Sequence, residues 1–554
     1  MPGGEIQLVA YGEENIFLNH DPQITFFKIT YRRYTNFSIE TVKADFVENL
    51  TFGNKFTFEI PKLGDLMHKF WLVIELPNIP IVYDLNNNVD KRLRFAWARK
   101  TAYALIEYID VDINGLVIDR QWGEWMNVLN ELNTTNFDSR LNQYIGNTPD
   151  FYEYKYTSSG IQSLFLYVPL QFWFFKNSGF ALPLLCLEYS TVRVTVKLRE
   201  FENVSIFSPS NYILIQNYLG KGIQNEPLLQ VNDQGYAWAE YDSIEVMNIS
   251  STESLYKLYY RKISDISFST TKQEYYDSIL GSSDLTFDDI ISNATNKNIT
   301  LENIINNSSS NSKFFIYGLY SKSIYVPIAN SNVNFNLENT YLYKPIKLLL
   351  KNMYLLMDYI YIDRDERIKF FNEKHEYVIE QVFFTGIKYL KNIFNKNSLE
   401  IINPCKWLVF MGQMQYLLNP NVNDFFNYKN TFIRDEFNQI LGKSIIKNSS
   451  VSFNSNQVSS AIDFTYYDRL QPFLYYPQAY PTNGMGVLKF CLYPINTQPS
   501  GSINMSSFSN IDLNTQFRII EGFNNNYVFK SYAVTYNVLR VVNGVAGLIF
   551  STNY

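Results

Sequence analysis

The chain has 554 residues, of which 46% are hydrophobic, 17% aromatic and 18% charged. This length exceeds what one hydrophobic core usually supports, and the apolar content argues against an intrinsically disordered protein. The net charge of −6 and the lack of a long Lys/Arg run argue against direct nucleic-acid binding.

Taken in chain order, most segments carry the apolar patterns of strands. Residues 24–31 form an aromatic segment, and residues 71–76 and 407–411 are more continuously apolar. Residues 191–198 and 511–519 alternate between apolar and polar residues. The alternating apolar residues are Val192, Val194, Val196 and Leu198 in the first of these, and Ile511, Leu513, Phe517 and Ile519 in the second. The chain is therefore predicted to be mostly β.

Two short helices are predicted among the strands. Residues 121–132 place Trp122, Trp125, Leu129 and Leu132 near one helix face. Residues 364–371 carry acidic residues in what would be the first turn, where the helix dipole favours them. We expect helices only as connections.

The same order of landmarks occurs twice along the chain, from about residue 23 to 363 and from about residue 373 to the end. Each copy has an aromatic strand, a Trp-led strand, an Asp-Arg pair after an Ile-Asp strand, a Ser-Gly turn and a Tyr-rich strand. The landmarks are residues 24–31, 56–76, 119–120, 178–179 and 357–362 in the first copy, and 376–384, 399–411, 468–469, 500–501 and 532–538 in the second. This order predicts an all-β fold of two consecutive eight-stranded antiparallel jelly rolls, with a few short helices.

The first copy is longer because it contains an insertion at about residues 202–345. We expect a long, partly folded surface loop between the last two strands of the first jelly roll, since surface loops tolerate such growth. Residues 292–312 are rich in Asn and Ser and predict a flexible segment, whereas residues 254–260 and 313–320 are strand-like. The predicted domains are residues 1–23 as an N-terminal arm, residues 24–365 as the first jelly roll and residues 366–554 as the second.

The sequence offers few groups for catalysis or metal binding. The histidines are His20, His68 and His375, and the cysteines are Cys186, Cys405 and Cys491. The histidines are too widely spaced for a metal site, and the cysteines, each in an apolar stretch, are expected to be buried free thiols. No nucleophile elbow or phosphate-binding loop stands out. We therefore predict no catalytic, cofactor-binding or metal-binding residue.

Charged clusters in the sequence are predicted to be structural. Residues 363–367 read Asp-Arg-Asp-Glu-Arg, and we expect these charges to neutralise one another in salt bridges. The pairs Asp119-Arg120 and Asp468-Arg469 are expected to support the fold at the same place in each jelly roll.

No targeting or membrane-spanning segment is predicted. The N-terminus lacks the basic and apolar regions of a signal peptide, and Pro2 stands where N-myristoylation requires glycine. The most apolar stretch, residues 172–187, is interrupted by Lys176 and Gly179 and is too short to span a bilayer. We expect a soluble protein that is made and assembled in the cytosol.

A set of motifs runs along most of the chain; it comprises residues 7–12, 21–28, 31–37, 179–184, 187–189, 358–367, 375–381, 498–501, 532–540 and 545–547. These motifs resemble those of the major capsid proteins of nucleocytoplasmic large DNA viruses, such as giant viruses, iridoviruses and phycodnaviruses. They occur in a fixed order and leave only the insertion unmatched. The sequence departs from the family pattern at Asn403-Pro-Cys, where His-Pro-Val is expected, and at Asn510-Ile-Asp, where Arg-Ile-Asp is expected.

The resemblance implies a structural subunit with two jelly rolls side by side and no enzymatic activity. Three subunits would form a capsomer with threefold symmetry and a nearly hexagonal outline, which tiles the icosahedral outer shell of the virion. The partners implied are two further copies in a homotrimer, neighbouring capsomers, minor capsid proteins and an internal viral membrane, after assembly in the host cytoplasm. The insertion, residues 202–345, would lie on the outer surface, within reach of the host surface.

Two other functions remain open at this stage. A double jelly-roll scaffold, as in poxviruses, would shape a viral membrane and later be shed. A minor or receptor-binding capsid component would use the insertion to bind a receptor or glycan. An enzyme is the least supported alternative because no constellation of catalytic residues is visible.

Overall fold

The computed structural model describes most of the chain. The described residues are 3–10, 20–29, 31–46, 50–81, 92–133, 139–232, 235–249, 254–269, 315–327, 333–334, 349–434, 440, 442–476, 484–519 and 525–550. The Asn- and Ser-rich segment 292–312 lies outside them. Strands predominate in the described residues, as predicted from the apolar patterns.

The strands of the first half, up to the insertion, are β1 (Phe37–Asp45), β2 (Lys55–Glu59), β3 (Leu66–Glu75), β4 (Arg94–Trp97), β5 (Ile106–Ile113), β6 (Leu116–Trp122), β7 (Lys155–Tyr156), β8 (Phe165–Pro169) and β9 (Val192–Leu198). The next strands are β10 (Ser205–Ser208), β11 (Asn211–Leu219), β12 (Pro227–Asn232), β13 (Gly235–Ile249), β14 (Ser254–Lys262), β15 (Ile316–Gly318), β16 (Ile324–Pro327), β17 (Val333–Asn334) and β18 (Asn352–Ile362).

The strands of the second half are β19 (His375–Leu390), β20 (Phe394–Ser398), β21 (Pro404–Met414), β22 (Ile446–Phe453), β23 (Asn456–Asp463), β24 (Met485–Lys489), β25 (Ile503–Asn504), β26 (Ile511–Phe517), β27 (Tyr527–Val542) and β28 (Val545–Leu548). The α-helices are α1 (Gly3–Val9), α2 (Thr101–Leu105), α3 (Gly123–Asn133), α4 (Ser139–Tyr144), α5 (Pro149–Tyr152), α6 (Trp173–Lys176), α7 (Arg364–Asn372) and α8 (Gln471–Tyr475). Single 3-10 turns cover Thr157–Ser159, Ser178–Phe180, Leu184–Cys186, Phe201–Asn203, Gln415–Leu418 and Met505–Ser507, and Tyr466–Leu470 is a π turn.

Both halves contain two four-stranded antiparallel arrays with the same strand order. In the first half the orders are β1-β18-β3-β8 and β2-β9-β5-β6, and in the second half β19-β27-β21-β24 and β20-β26-β22-β23. When only the eight strands of the two arrays are counted in each half, leaving out β4, β7, β10–β17, β25 and β28, the orders are 1-8-3-6 and 2-7-4-5. This is the connectivity of a jelly roll. The predicted double jelly roll is confirmed.

Each jelly roll encloses its own apolar core because its strands alternate between inward and outward side chains. In β9, Val192, Val194, Val196 and Leu198 are buried, as predicted from their spacing. They belong to the core of the first jelly roll, while Leu408, Phe410 and Leu513 belong to that of the second. Ile519 lies beyond the end of β26 and is 62% exposed, so its predicted place on the buried face is wrong.

The first predicted strand, residues 24–31, is also wrong. Its described residues lie outside any strand, and Phe26 and Phe27 are 87% and 98% exposed. The edge of the sheet is instead taken by β1, which pairs with β18 from Phe37 opposite Ile362 onward. Among the described residues, the aromatic segment pairs with no strand.

The two Asp-Arg pairs do not occupy the same place in the two jelly rolls. Asp119 and Arg120 lie within β6, whereas Asp468 and Arg469 lie in the π turn that follows β23, the counterpart of β6. Arg120 forms a salt bridge with Asp110 on β5, at 2.6 Å, and Asp119 accepts from the Gln121 side chain at 3.3 Å. Consecutive residues of a strand point to opposite faces, so adjacent side chains are poorly placed to pair.

The described residues of the insertion between β9 and β18 are folded. Strands β11 to β17 form a seven-stranded sheet with the order β14-β13-β12-β15-β16-β11-β17. This sheet has its own small core, which includes Ile213, Leu228, Leu258 and Tyr325. The strand-like residues 254–260 fall in β14, and residues 316–318 of the second strand-like segment form β15.

Alternating strand directions place the insertion and the N-terminal segment at opposite ends of the first jelly roll. The chain enters through β1, and each following strand of the jelly roll reverses direction. The connections β3–β5, β6–β8 and β9–β18 therefore lie at one end, with the insertion. The segment before β1 and helix α7, which leads into the second jelly roll, lie at the other end.

Separate cores predict that one truncation in each jelly roll destabilises the protein. Leu72 in β3 and Leu408 in β21 are 0% and 1% exposed. We expect Leu72→Ala and Leu408→Ala each to lower the free energy of unfolding by about 2–5 kcal/mol, since each leaves a cavity. Leu492→Ala, at a side chain that is 65% exposed, is the matched control. Denaturant unfolding measures all three, and core variants as stable as the control would contradict the assignment.

Candidate functional site

The two jelly rolls meet along a surface that we call the seam, where α3 of the first packs on the sheet β19-β27-β21-β24 of the second. The helix begins at Gly123, directly after β6. A Cβ atom at this position would lie 2.1 Å from the carbonyl oxygen of Tyr103 and 2.3 Å from that of Ile106. Only glycine therefore lets the helix start this close to α2.

The predicted apolar face of α3 is the face that forms the seam. Its buried residues Trp125, Val128, Leu129 and Leu132 share one cluster with β21 and β27 residues of the second jelly roll, and Trp122 packs against that cluster. The Trp125 ring lies 5.3 Å from that of Trp407 and 5.7 Å from that of Tyr532. Aromatic pairs at these distances add about 0.5–1.5 kcal/mol each beyond the burial of their surface. The seam is therefore packed like a core.

A buried carboxylate lies at the centre of this apolar surface. Glu124 accepts hydrogen bonds from the Tyr428 hydroxyl at 2.8 Å, the Lys530 ammonium at 3.0 Å and the Tyr532 hydroxyl at 3.0 Å. All three donors belong to the second jelly roll, and Glu124 is only 6% exposed. Burial and the neighbouring Glu124 raise the pKa of Tyr428 and of Tyr532 well above the ordinary value, so both hydroxyls remain donors at neutral pH.

A second ionic link joins the jelly rolls beside the first. Glu380 in β19 contacts Lys176 of α6 at 2.5 Å and Lys406 of β21 at 2.5 Å. Burial alone would raise the pKa of Glu380, but the two ammonium groups hold it below its ordinary value. Burial also lowers the pKa of Lys406, whose side chain is fully covered. One carboxylate thus holds together a lysine from each jelly roll.

Strand β6 and strand β19 complete the seam with polar contacts. The Gln381 side-chain amide donates to the carbonyl oxygen of Ile118, and the backbone N–H of Val382 donates to Asp119 at 3.3 Å. Asp119, predicted to support the fold with Arg120, instead supports the contact between the two jelly rolls.

The insertion forms a second set of contacts between the jelly rolls. Its Trp238 ring lies 5.8 Å from that of Phe432, and Arg261 donates to the carbonyl oxygen of Asn421. The Asn423 side chain of the second jelly roll donates to backbone carbonyl oxygens at the start of the insertion, at 2.8 and 3.0 Å. The insertion is therefore attached to the second jelly roll as well as to the first.

The three histidines considered as metal ligands in the sequence do not lie together. The His68 ring contacts the carbonyl oxygen of Phe174 at 2.6 Å, and His375, the first residue of β19, contacts that of Phe370 at 2.6 Å. His20 is exposed.

All three cysteines, Cys186, Cys405 and Cys491, are buried free thiols, as expected. Within the described ranges, no group of three or more His, Cys, Asp or Glu residues is placed to hold a metal ion.

The prediction that the charges of residues 363–367 neutralise one another in salt bridges is wrong. Asp363 instead caps helix α7, accepting from the backbone N–H of Arg364 at 2.8 Å. Arg367 pairs with Asp65 of the first jelly roll at 2.8 Å. The cluster therefore ties the connection between the jelly rolls back to the first of them.

In the part of the chain that the structure describes, no helix is long and apolar enough to cross a membrane.

Sequence reasoning missed the charged residues of the seam. Glu124 and Lys530 are 406 positions apart, and Glu380 and Lys406 lie on different strands. The only available signal was a single acidic residue between Trp122 and Trp125 on an otherwise apolar helix face. That signal marks a buried charge without identifying its partner.

Comparison with protein families assigns both halves of the chain. Residues 25–241 match the family described as major capsid protein N-terminus, and residues 366–547 match the large eukaryotic DNA virus major capsid protein family. The solved PBCV-1 VP54 structure superposes with a TM-score of 0.57 at 17% identity, covering 95% of this chain and 100% of that one. The Faustovirus major capsid protein gives 0.55 at 12% identity, covering 96% and 94%. These two structures support the double jelly-roll fold.

Relatives over the full length point to the same family. The probable capsid protein 4 of Acanthamoeba polyphaga mimivirus is 32% identical, with 100% of both chains covered. The major capsid protein of Phaeocystis pouchetii virus is 25% identical, again with 100% of both chains covered. The chain therefore belongs to the major capsid proteins of large eukaryotic DNA viruses, the family that its sequence motifs indicated.

Proposed function

We propose that three copies of this protein form a pseudo-hexagonal capsomer, and that such capsomers tile the icosahedral outer shell of the virion. The observation that carries this proposal is the pair of jelly rolls with one strand order, held together by the buried seam. Three chains with two similar modules each present six similar corners under threefold symmetry. A block of this shape packs on a flat facet without gaps.

The exposed aromatic segment before β1 supports assembly with further copies. Its large side chains are 73–98% exposed; they are Ile24, Phe26, Phe27, Ile29, Tyr31 and Tyr34. Soluble monomers rarely expose contiguous apolar surface of this kind, so such surface marks an interaction site. We propose that the neighbouring subunit of the trimer covers it.

The remaining assignments rest on the resemblance to the family. We propose that residues 1–23 act as an arm, and that residues 24–365 and 366–554 fold as the two jelly rolls. The partners are neighbouring capsomers, minor capsid proteins and an internal viral membrane on the inner side, without direct contact to nucleic acid. The protein assembles in the host cytoplasm and has a structural role without catalysis.

The insertion belongs on the outer side of the shell in this proposal. It leaves the first jelly roll at the end opposite the exposed aromatic segment, and that segment would face inward with the arm. A folded seven-stranded sheet at the outer end offers a surface for contact with the host. Such contact requires no change in the seam.

The trimer itself is the first test. Static light scattering of the purified protein is expected to give three times the chain mass of 64.9 kDa, and low-resolution imaging to show compact threefold particles with six corners. We expect Phe26→Ser/Phe27→Ser to lose the trimer while keeping the circular dichroism of a folded β protein. Val246→Ser, at a side chain of the insertion that is 54% exposed, is the control and should remain trimeric. A wild-type protein that stays monomeric under all conditions would contradict the proposal of a trimer.

The seam is tested by comparing a buried ion pair with an exposed one. We expect Glu124→Gln to lower the free energy of unfolding by about 3–5 kcal/mol because Lys530 is left buried without its counter-charge. The double variant Glu124→Gln/Lys530→Met should lose less than the sum of the two single variants. The control is Arg540→Met, which breaks an ion pair with Glu376 whose side chains are 52% and 55% exposed, and should cost under about 1 kcal/mol. Equal losses at the two sites, measured by denaturant unfolding, would argue against a rigid seam.

A further inference from the structure

The seam joins two different surfaces, and each of them has a counterpart on the other jelly roll. The first jelly roll contributes β6 and the helix that follows it, α3, while the second contributes the outer face of the sheet β19-β27-β21-β24. By strand order, the counterpart of β6 is β23, and the counterpart of that sheet is β1-β18-β3-β8. The seam within one chain therefore leaves one surface of each kind over.

The outer faces of the two sheets carry matching residues. Residues 71–73 of β3 and residues 407–409 of β21 both read Trp-Leu-Val, and the leucine of each belongs to the core of its jelly roll. The tryptophan and the valine therefore lie on the outer face, because side chains alternate along a strand. The strand registers then match Trp71 with Trp407, Val73 with Val409, Tyr354 with Tyr532, Tyr167 with Val487 and Phe165 with Met485.

The matched residues differ in how far they are covered. Those of the second jelly roll are buried in the seam. Four aromatic residues of the first jelly roll, which we call the sheet surface, are Trp71, Phe165, Tyr167 and Tyr354. Phe165 is 46% exposed and the other three are half-buried, whereas Met485, the match of Phe165, is 1% exposed. The sheet surface thus has the composition of the seam without its cover.

The helical segment after β23 has an exposed apolar side. The π turn Tyr466–Leu470 continues directly into α8, so a helix follows β23 as α3 follows β6. Leu470, Phe473 and Leu474 are 48%, 78% and 53% exposed. Their spacing of three and four residues places them on one side of the helix. We call these three residues the helix surface.

The edge strands show the same contrast. Strand β6 buries Ile118, Asp119 and Gln121 beside β19, and β19 buries Ile379, Gln381 and Val382. Their counterparts β23 and β1 contain no buried residue, and every position of both strands is described. The edges that match the seam are therefore uncovered in the single chain.

We propose that the helix surface of one copy packs on the sheet surface of the next, which repeats between chains the contact that α3 makes within each chain. The inference rests on the proposed trimer and names the residues of its interface. A second copy is the partner because the chain already forms a helix-on-sheet contact of this kind at the seam. The two surfaces differ, so the contact is head-to-tail, and such contacts close into rings. Three copies use every helix surface and every sheet surface once.

Single substitutions on either surface test the interface. We expect Phe473→Asp and Phe165→Asp each to raise the dissociation constant of the trimer at least about ten-fold, because aromatic residues contribute much of the binding at such contacts. Light scattering over a dilution series measures this, and circular dichroism should show a folded β protein. Phe394→Asp, the same change at a residue of β20 that is 71% exposed, is the matched control and should remain trimeric.

A mixture of the two variants tests the direction of the contact. Phe473→Asp keeps its sheet surface and Phe165→Asp keeps its helix surface, so one intact contact joins them and the ring cannot close. Where each variant alone is monomeric, we expect the equimolar mixture to give particles of twice the chain mass.

The outcomes separate this interface from the proposed function. A monomeric mixture, or single variants as trimeric as Phe394→Asp, would overturn the interface while the wild-type trimer stands. A monomeric wild type would contradict both proposals. If one variant does not fold, the dissociation constant of the other decides.

Discussion

The carboxylate of Glu124 constrains how the two halves of the chain sit against each other. Taking one carboxylate out of water costs several kcal/mol, and only a complete set of donors in good geometry offsets that cost. Here every donor, Tyr428, Lys530 and Tyr532, comes from the other jelly roll. A displacement of one jelly roll by a few ångströms would leave a charge buried without partners. The seam therefore accepts one arrangement, whereas a purely apolar contact would tolerate sliding.

A fixed arrangement matters because the two jelly rolls are alike in connectivity but not in detail. Their strand orders are the same, yet only the first carries the folded insertion between its last two strands. In the proposed trimer, six corners built from two kinds of module are equivalent in outline only if the spacing within each chain equals the spacing between chains. The lysine–glutamate–lysine link through Glu380 and the tie from Arg367 to Asp65 hold that spacing at other points of the contact.

The sequence allowed the jelly rolls to be predicted but not the contact between them. Period-two alternation identified β9, and the spacing of Trp122, Trp125, Leu129 and Leu132 identified helix α3 and its buried face. Residues 24–31 were predicted as a strand from their aromatic content, which indicates apolar side chains but not whether a sheet pairs with them. Adjacent charges such as Asp119 and Arg120 read as a pair, although a strand turns them to opposite faces. The partner of Glu124 lies 406 positions away, and no local pattern encodes such a separation.

The insertion is a long surface connection that is held in place along its length and not only at its two ends. A loop anchored only at its two ends would gain freedom with length, but this one folds around its own core and touches both jelly rolls. Arg94 and Asp242 join it to the first jelly roll through a pair that is almost fully buried, and Trp238 packs on Phe432 of the second. Its attachment thus adds a second bridge near the outer end, at a distance from Glu124.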